Sequence, residues 1–153
     1  MSRKTRPCLW FEKGGLQAAR FYTTLLPDSF VEDENWPGED EPIIVNFTLA
    51  GTPYQIINGG PHYRLSPAAS ISVITEDQSE TDTLWKSLTA NGGKESKCGW
   101  LTDRWGVSWQ IVPQALIEIQ TSDDQVAAER ARQAMYKMNK IDIAALQAAF
   151  NAS

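Results

Sequence analysis

Gly106–Val112 reads Gly-Val-Ser-Trp-Gln-Ile-Val, and Gly51–Ile57 reads Gly-Thr-Pro-Tyr-Gln-Ile-Ile, at an offset of 55 residues (106 − 51). Both run glycine, two variable residues, an aromatic, glutamine, isoleucine and a β-branched residue. Short apolar runs rich in β-branched and aromatic side chains, each opened by a glycine, predict strands. Alternation along a strand puts Gln55 and Gln110 on the face opposite the aromatic and the Ile. A strand written twice predicts that the surrounding unit is also built twice.

The stretches around each strand follow one order. In the second half, Ala69–Thr75 predicts a strand, and Asp77 with Glu80 forms a capping-box-like helix start. Leu84, Trp85 and Leu88 give that helix its apolar stripe, and Asn91-Gly92-Gly93 ends it, Gly92 suiting a left-handed cap. Lys94–Cys98 and Trp100–Arg104 predict short strands or a hairpin before Gly106–Val112. In the first half, Pro7–Phe11 predicts a strand and Leu16–Leu26 a helix stopped by Pro27. Residues 32–42 are acidic and rich in turn formers and predict an exposed loop; Ile43–Leu49 and Tyr54–Asn58 then pair across the turn Ala50–Pro53. The helices also superpose, with Phe21-Tyr22 lying 63 residues before Leu84-Trp85. Neither copy, a curved half-sheet with one helix, can bury both its faces alone. Residues 113–153 lie outside the repeat. There Ser122-Asp123-Asp124-Gln125 predicts a capped helix with Ala127, Ala131, Ala134, Met135 and Met138 on one face. Asp142 starts a last helix carrying Leu146 and Phe150. These stripes predict packing against the domain or a second subunit.

The 153 residues, 42% hydrophobic and 22% charged, suit one ordinary globular domain. A net charge of −5 with scattered Lys and Arg excludes the basic footprint of a nucleic-acid binder. Cys8–Phe11, the apolar stretch behind Arg3, Lys4 and Arg6, is too short for a signal peptide, and no run approaches a membrane span. Cys8 and Cys98 form no Cys-x-x-Cys pair, so a soluble cytoplasmic protein with free thiols and no membrane partner is expected.

With its doubled unit, the chain resembles the vicinal oxygen chelate superfamily, the glyoxalase and bleomycin-resistance fold. Within it, the chain is similar to the PhnB-like group labelled 3-demethylubiquinone-9 3-methyltransferase. The residues that carry the resemblance are Cys8–Phe11, Ala18–Tyr22, Asn58–His62, Lys140–Leu146 and, most specifically, Cys98–Pro113. The resemblance implies an α+β fold of two βαβββ modules, about residues 5–60 and 67–114. These would form a cupped mixed sheet around a cavity within a domain spanning 1–120, with a C-terminal helical extension at 121–153. It also implies a homodimer.

Metal-dependent members of the superfamily place His, Glu or Gln ligands on four strands. By position those places fall at Pro7 or Cys8, Gln55, Ser70 and Gln110. Two glutamines, a serine and one undecided residue offer an ion no charge, so no bound metal and no cofactor is expected. His62, the one histidine, follows Asn58-Gly59-Gly60 in a loop. What remains is a cavity lined by Trp10, Gln55, Ser70, Ser72, Trp100, Trp105 and Gln110, in which the glutamines hold a small ligand or pair with each other or water. Trp109, opposite in parity to Gln110, is expected in the core. Three functions stand: small-molecule binding, an enzyme acting on a small metabolite, and an interaction module. Methyl transfer is what the group's label implies, yet no Gly-x-Gly-x-x-Gly turn for a nucleotide-type methyl donor occurs. No histidine stands beside a nucleophile, and only Lys94 and Lys97 lie near Cys98 to activate it.

Overall fold

The computed structural model describes residues 3–32 and 35–153. Its contacts divide the chain into two compact units, Met1–Leu65 and Ser66–Ser153. In the first, β1 (Cys8–Phe11) is followed by α1 (Gly15–Tyr22), β2 (Phe30–Val31), β3 (Ile44–Leu49) and β4 (Thr52–Asn58). The sheet order is β1-β4-β3-β2, with β1 parallel to β4 and the other pairs antiparallel. One face of this sheet is apolar: Phe11, Val45, Phe47, Leu49 and Ile56 are buried, as are Ala18, Ala19 and Tyr22 of α1. Phe47 is central there, 6.0 Å from the Tyr22 ring and stacked at 5.4 Å on Tyr54. Register puts Cys8, Gln55 and Asn46 side by side on the other face.

Two details differ from the sequence expectation. Helix α1 ends at Tyr22, short of Leu26, and gives way to turns in which the Thr24 and Leu25 N–H groups reach only three residues back. The hydroxyls of Thr23 and Thr24 take the carbonyls of Arg20 and Phe21, and such local bonds compete with the helical ladder before Pro27 is reached. The two-residue strand β2 carries too little pattern to be predicted. Asp33 and Glu34 of the expected acidic loop lie outside the described residues. The remainder of that loop has a structural task, because Glu41 accepts from the N–H groups of Gly14 (2.9 Å) and Leu16 (3.2 Å). Asn58 Oδ1 accepts from Gly15 at 2.9 Å. Helix α1 has no side-chain cap of its own, so distant residues satisfy the donors its start leaves open.

The second unit repeats the topology. β5 (Ser70–Thr75), α2 (Gln78–Thr89), β6 (Lys94–Glu95), β7 (Trp100–Thr102) and β8 (Ser108–Pro113) follow in order, and the sheet runs β5-β8-β7-β6 with β5 parallel to β8. Both units are therefore βαβββ modules, and the protein is an α+β fold. Asp77 caps α2 as expected, its Oδ1 accepting from Glu80 N at 2.9 Å, while Glu80 accepts from Glu76 N. Past α2 a single 3-10 turn closes on Asn91 and Gly92, both at positive φ. Ile71, Val73, Leu101, Trp109 and Ile111 are buried, as are Leu84, Trp85 and Leu88 of α2. Ser70 is half-buried and Ser72 exposed, on the opposite side of their strand.

The tail forms three helices: α3 (Gln114–Gln120), α4 (Gln125–Met135) and α5 (Ile143–Asn151). The sequence reading omitted α3, which follows β8 without a loop and buries only Leu116 and Ile119. The cap of α4 is Asp124, not Ser122: its Oδ1 accepts from Ala127 N at 3.0 Å, while the Ser122 hydroxyl accepts from Asp124 N. Asp142 caps α5 as expected. Leu116, Ile119, Ala131, Met135, Ile141 and Leu146 form one apolar cluster. Backbone bonds from Cys98 N to Met138 O (2.9 Å) and Gly99 N to Asn139 O (2.7 Å) tie this cluster to the second module. So do Gln78, which bonds Ile141 O and Ile143 N, and the Lys140–Asp82 ion pair at 2.8 Å. Among the described residues no helix is long and apolar enough to cross a membrane.

Candidate functional site

On each sheet the face away from its helix carries one glutamine at the same place in the repeat. In the first module, Gln55 lies between Cys8 and Asn46 in register, and its Nε2 donates to Asn46 Oδ1 at 3.0 Å. In the second, Gln110 lies between Ser72 and Trp100, and its Nε2 donates to Ser70 Oγ at 2.8 Å. Each amide thus spends a donor locally and makes no bond through Oε1 among the described residues, leaving an acceptor on the half-buried face. Of the two residues open at the first position, Cys8 is the one opposite Gln55 in register; Pro7 contributes its carbonyl to Gln55 N.

The aromatic residues divide by role. The Trp10 indole donates to Gly60 O at 2.9 Å and meets Tyr63 edge-on at 4.9 Å. It also covers Gly59, where a Cβ would come within 2.2 Å of the ring. Trp10 therefore clamps the chain after β4, and His62 in the following turn is exposed. Trp109 is core, 1% exposed. Trp105 sits in the β7–β8 turn, built on the buried Asp103, whose carboxylate accepts from the N–H groups of Trp105 and Val107 and from the Trp109 indole. The Arg104 guanidinium lies 4.7 Å from the Trp105 ring centre. The second module therefore gathers Ser70, Ser72, Trp100 and Gln110 on one sheet face, with Trp105 in the adjoining turn. Trp10 and Gln55 belong to the first. Sequence reasoning missed Asn46, the partner of Gln55, and Ser108, the register partner of Ser70. Neither belongs to a recognisable motif, and only strand pairing places them.

At the positions that the resemblance assigns to metal ligands, the first module carries the Cys8 thiol and the Gln55 amide, and the second the Ser70 hydroxyl and the Gln110 amide. Burial pushes the Cys8 thiol above its ordinary pKa, so at neutral pH it carries no charge. Among the described residues no three His, Cys, Asp or Glu side chains cluster closely enough to hold an ion. Neutral oxygens and a protonated thiol do not offset the dehydration of a divalent cation, and neither module's pair fits one.

The model of the 3-demethylubiquinone-9 3-methyltransferase family matches residues 3–112. The chain belongs to this family. Among solved structures, a PhnB protein from Bacillus cereus is 31% identical, with a TM-score of 0.63 over 72% of this chain and 99% of its own. Protein PA1353 from Pseudomonas aeruginosa is 20% identical, with a TM-score of 0.58 over 73% of this chain and 98% of its own. The fosfomycin resistance protein FosX from Listeria monocytogenes is 13% identical, with a TM-score of 0.51 over 77% of this chain and 98% of its own. The last two share the fold with this family member. No curated protein matches the chain. The family match ends at Val112, inside β8, so helices α3–α5 and the α4–α5 connection, whose Met138 and Asn139 carbonyls bond Cys98 and Gly99, lie beyond it.

Proposed function

We propose that this family member binds a small organic molecule through the open faces of its modules, without a tightly held divalent ion. The observation that supports this reading is the pair of repeat-related glutamines, each with a free amide oxygen beside uncharged side chains, Asn46 and Cys8 or Ser70, Ser72 and Trp100. Such a surface recognises hydrogen-bonding groups on a largely apolar ligand. The same reading takes the protein to be a cytoplasmic homodimer, in keeping with its two free thiols.

A thermal-shift panel of small metabolites, divalent metals and S-adenosylmethionine tests it. A ligand at one hundred times its Kd stabilises the fold by about 2.7 kcal/mol. A metabolite should raise Tm, and Gln55→Leu or Gln110→Leu should abolish the rise while leaving the unliganded Tm within a few degrees. Strong stabilisation by a metal alone would refute the metal-free reading. Stabilisation by S-adenosylmethionine, lost in the same variants, would favour the transferase that the family's name describes. A ligand response untouched by both glutamine variants would refute this placement.

A further inference from the structure

The second module holds a cleft of about 300 Å³ lined by Pro67, Ser96, Lys97, Cys98, Trp100, Leu101, Thr102 and Ser108. Its walls are mostly apolar, and three hydroxyls and one ammonium group interrupt them. Ser108 is the unusual member. It is 3% exposed and its hydroxyl makes no hydrogen bond among the described residues; since no buried side-chain oxygen there lacks a partner, that small exposure belongs to the hydroxyl, which meets the open space of the cleft. Lys97 makes no ion pair among the described residues, and no carboxylate lines the cleft. Lys94, the register partner of Thr102, stands on the same sheet face. The neighbouring Glu95 is turned the other way, accepting from the Trp85 indole at 2.6 Å.

The rim of this cleft is held in an uncommon backbone conformation. Cys98 adopts φ 60° and Gly99 φ 83°, a region that non-glycine residues seldom occupy. The N–H groups of both are fixed by the carbonyls of Met138 and Asn139. A Cβ at residue 99 would meet Ile111 O at 2.8 Å and Ile141 at 3.1 Å. The connection between α4 and α5, which lies beyond the family match, thus shapes the turn that presents Ser96, Lys97 and Cys98 to the cleft.

We propose that this cleft is a binding site for a compact, planar, mainly apolar carboxylate. The ring would lie against Trp100 and Pro67, and the carboxylate would take the Ser108 hydroxyl and the Lys97 ammonium. This names a ligand class for the second module's part of the proposed binding surface and rests on that reading only through the shared Trp100. The Ser108 hydroxyl spends its donor on no other described side chain or backbone group, so an acceptor placed against it in the cleft gains a charged hydrogen bond.

Titration of the 15N-labelled full chain with benzoate, and separately with benzyl alcohol and acetate, tests the site by amide and indole shifts. Benzoate should give saturable shifts at Lys97, Cys98, Thr102, Ser108 and the Trp100 indole, and bind more tightly than either analogue. Ser108→Ala should weaken benzoate roughly tenfold, the scale of one hydrogen bond to a charged group. Lys97→Met, on the exposed turn where folding is not at stake, should reduce the preference for benzoate over benzyl alcohol and its sensitivity to salt. Absence of saturable shifts up to about 10 mM benzoate, a very weak affinity, would overturn the proposal. So would equal binding of the alcohol, or unchanged affinity in both variants. Gln110→Leu separates the two readings: benzoate binding that survives it, with metabolite binding lost, leaves the cleft standing on its own. Failure of benzoate alone leaves the glutamine-centred reading untouched.

Discussion

Replacing Asp103 with asparagine tests how the β7–β8 turn, and with it Trp105, is held. The carboxylate is 3% exposed and accepts at 2.9 Å from Trp105 N, 3.0 Å from Val107 N and 2.9 Å from Trp109 Nε1. These three groups are donors, so a carboxylate, which accepts only, suits the place. Asparagine supplies one acceptor oxygen and one NH2 group. Whichever way the amide turns, a donor faces a donor, across either the backbone pair or the indole. Loss of one to two charged hydrogen bonds, each about 1.5–3 kcal/mol, predicts destabilisation of roughly 3 kcal/mol. For a chain of this size that corresponds to a fall in Tm of about 6–12 °C. The assay is denaturant and thermal unfolding of the wild type, Asp103→Asn, Trp109→Phe and the double variant. Phenylalanine removes the indole N–H, so the amide NH2 can turn toward the ring and leave its oxygen for the backbone donors. The double variant should therefore be less destabilised than the sum of the singles, by about 1 kcal/mol or more. An Asp103→Asn variant within about 0.5 kcal/mol of wild type, or strict additivity, would refute this account of the turn.

Three further outcomes follow from the packing and the charges. Phe47→Ala should cost about 3–5 kcal/mol in urea unfolding, since the ring is 0% exposed between Tyr22 and Tyr54; a loss below about 1 kcal/mol would show that the first module's core collapses to fill the space. Cys8, though exposed, should react with iodoacetamide at pH 8 more slowly than free cysteine, because partial burial raises its pKa and depletes the thiolate; a faster rate would mean an activated thiol and refute this. Hydrogen bonds from Lys140, then from Gln78, hold the Asp82 carboxyl below its ordinary pKa. Its stabilising contribution is full above the unfolded-state pKa and fades as pH falls through the lowered folded value. Asp82→Asn should therefore remove a small acid-side slope in stability, at most about 1 kcal/mol for so exposed a pair, and an unchanged slope from pH 6 down to ~3 would contradict it.

The amino-acid sequence by itself determined the doubling. Gly51–Ile57 and Gly106–Val112 match because a strand's apolar face and its single polar residue are local, period-two properties that survive as a readable pattern. The helix starts at Asp77 and Asp142 were legible for the same reason, since a cap is a bond between residues three apart. The side on which Gln55, Gln110, Ser70 and Ser72 stand followed from alternation, and both sheets keep it. Other features were decided only by tertiary structure. Cys8 rather than Pro7 lies opposite Gln55, and Asn46 holds that amide, because pairing register joins residues 9 to 47 positions apart. Glu41 and Asn58 close the start of α1, which carries no cap within its own sequence. The turn at Cys98 takes its left-handed form because Met138 and Asn139, some forty residues later, hold both its N–H groups. Ser108 and Lys97 come to line one cleft only once β7, β8 and that turn are assembled. Local patterns fix which face a side chain takes, whereas its neighbours depend on long-range pairing that no window of sequence contains.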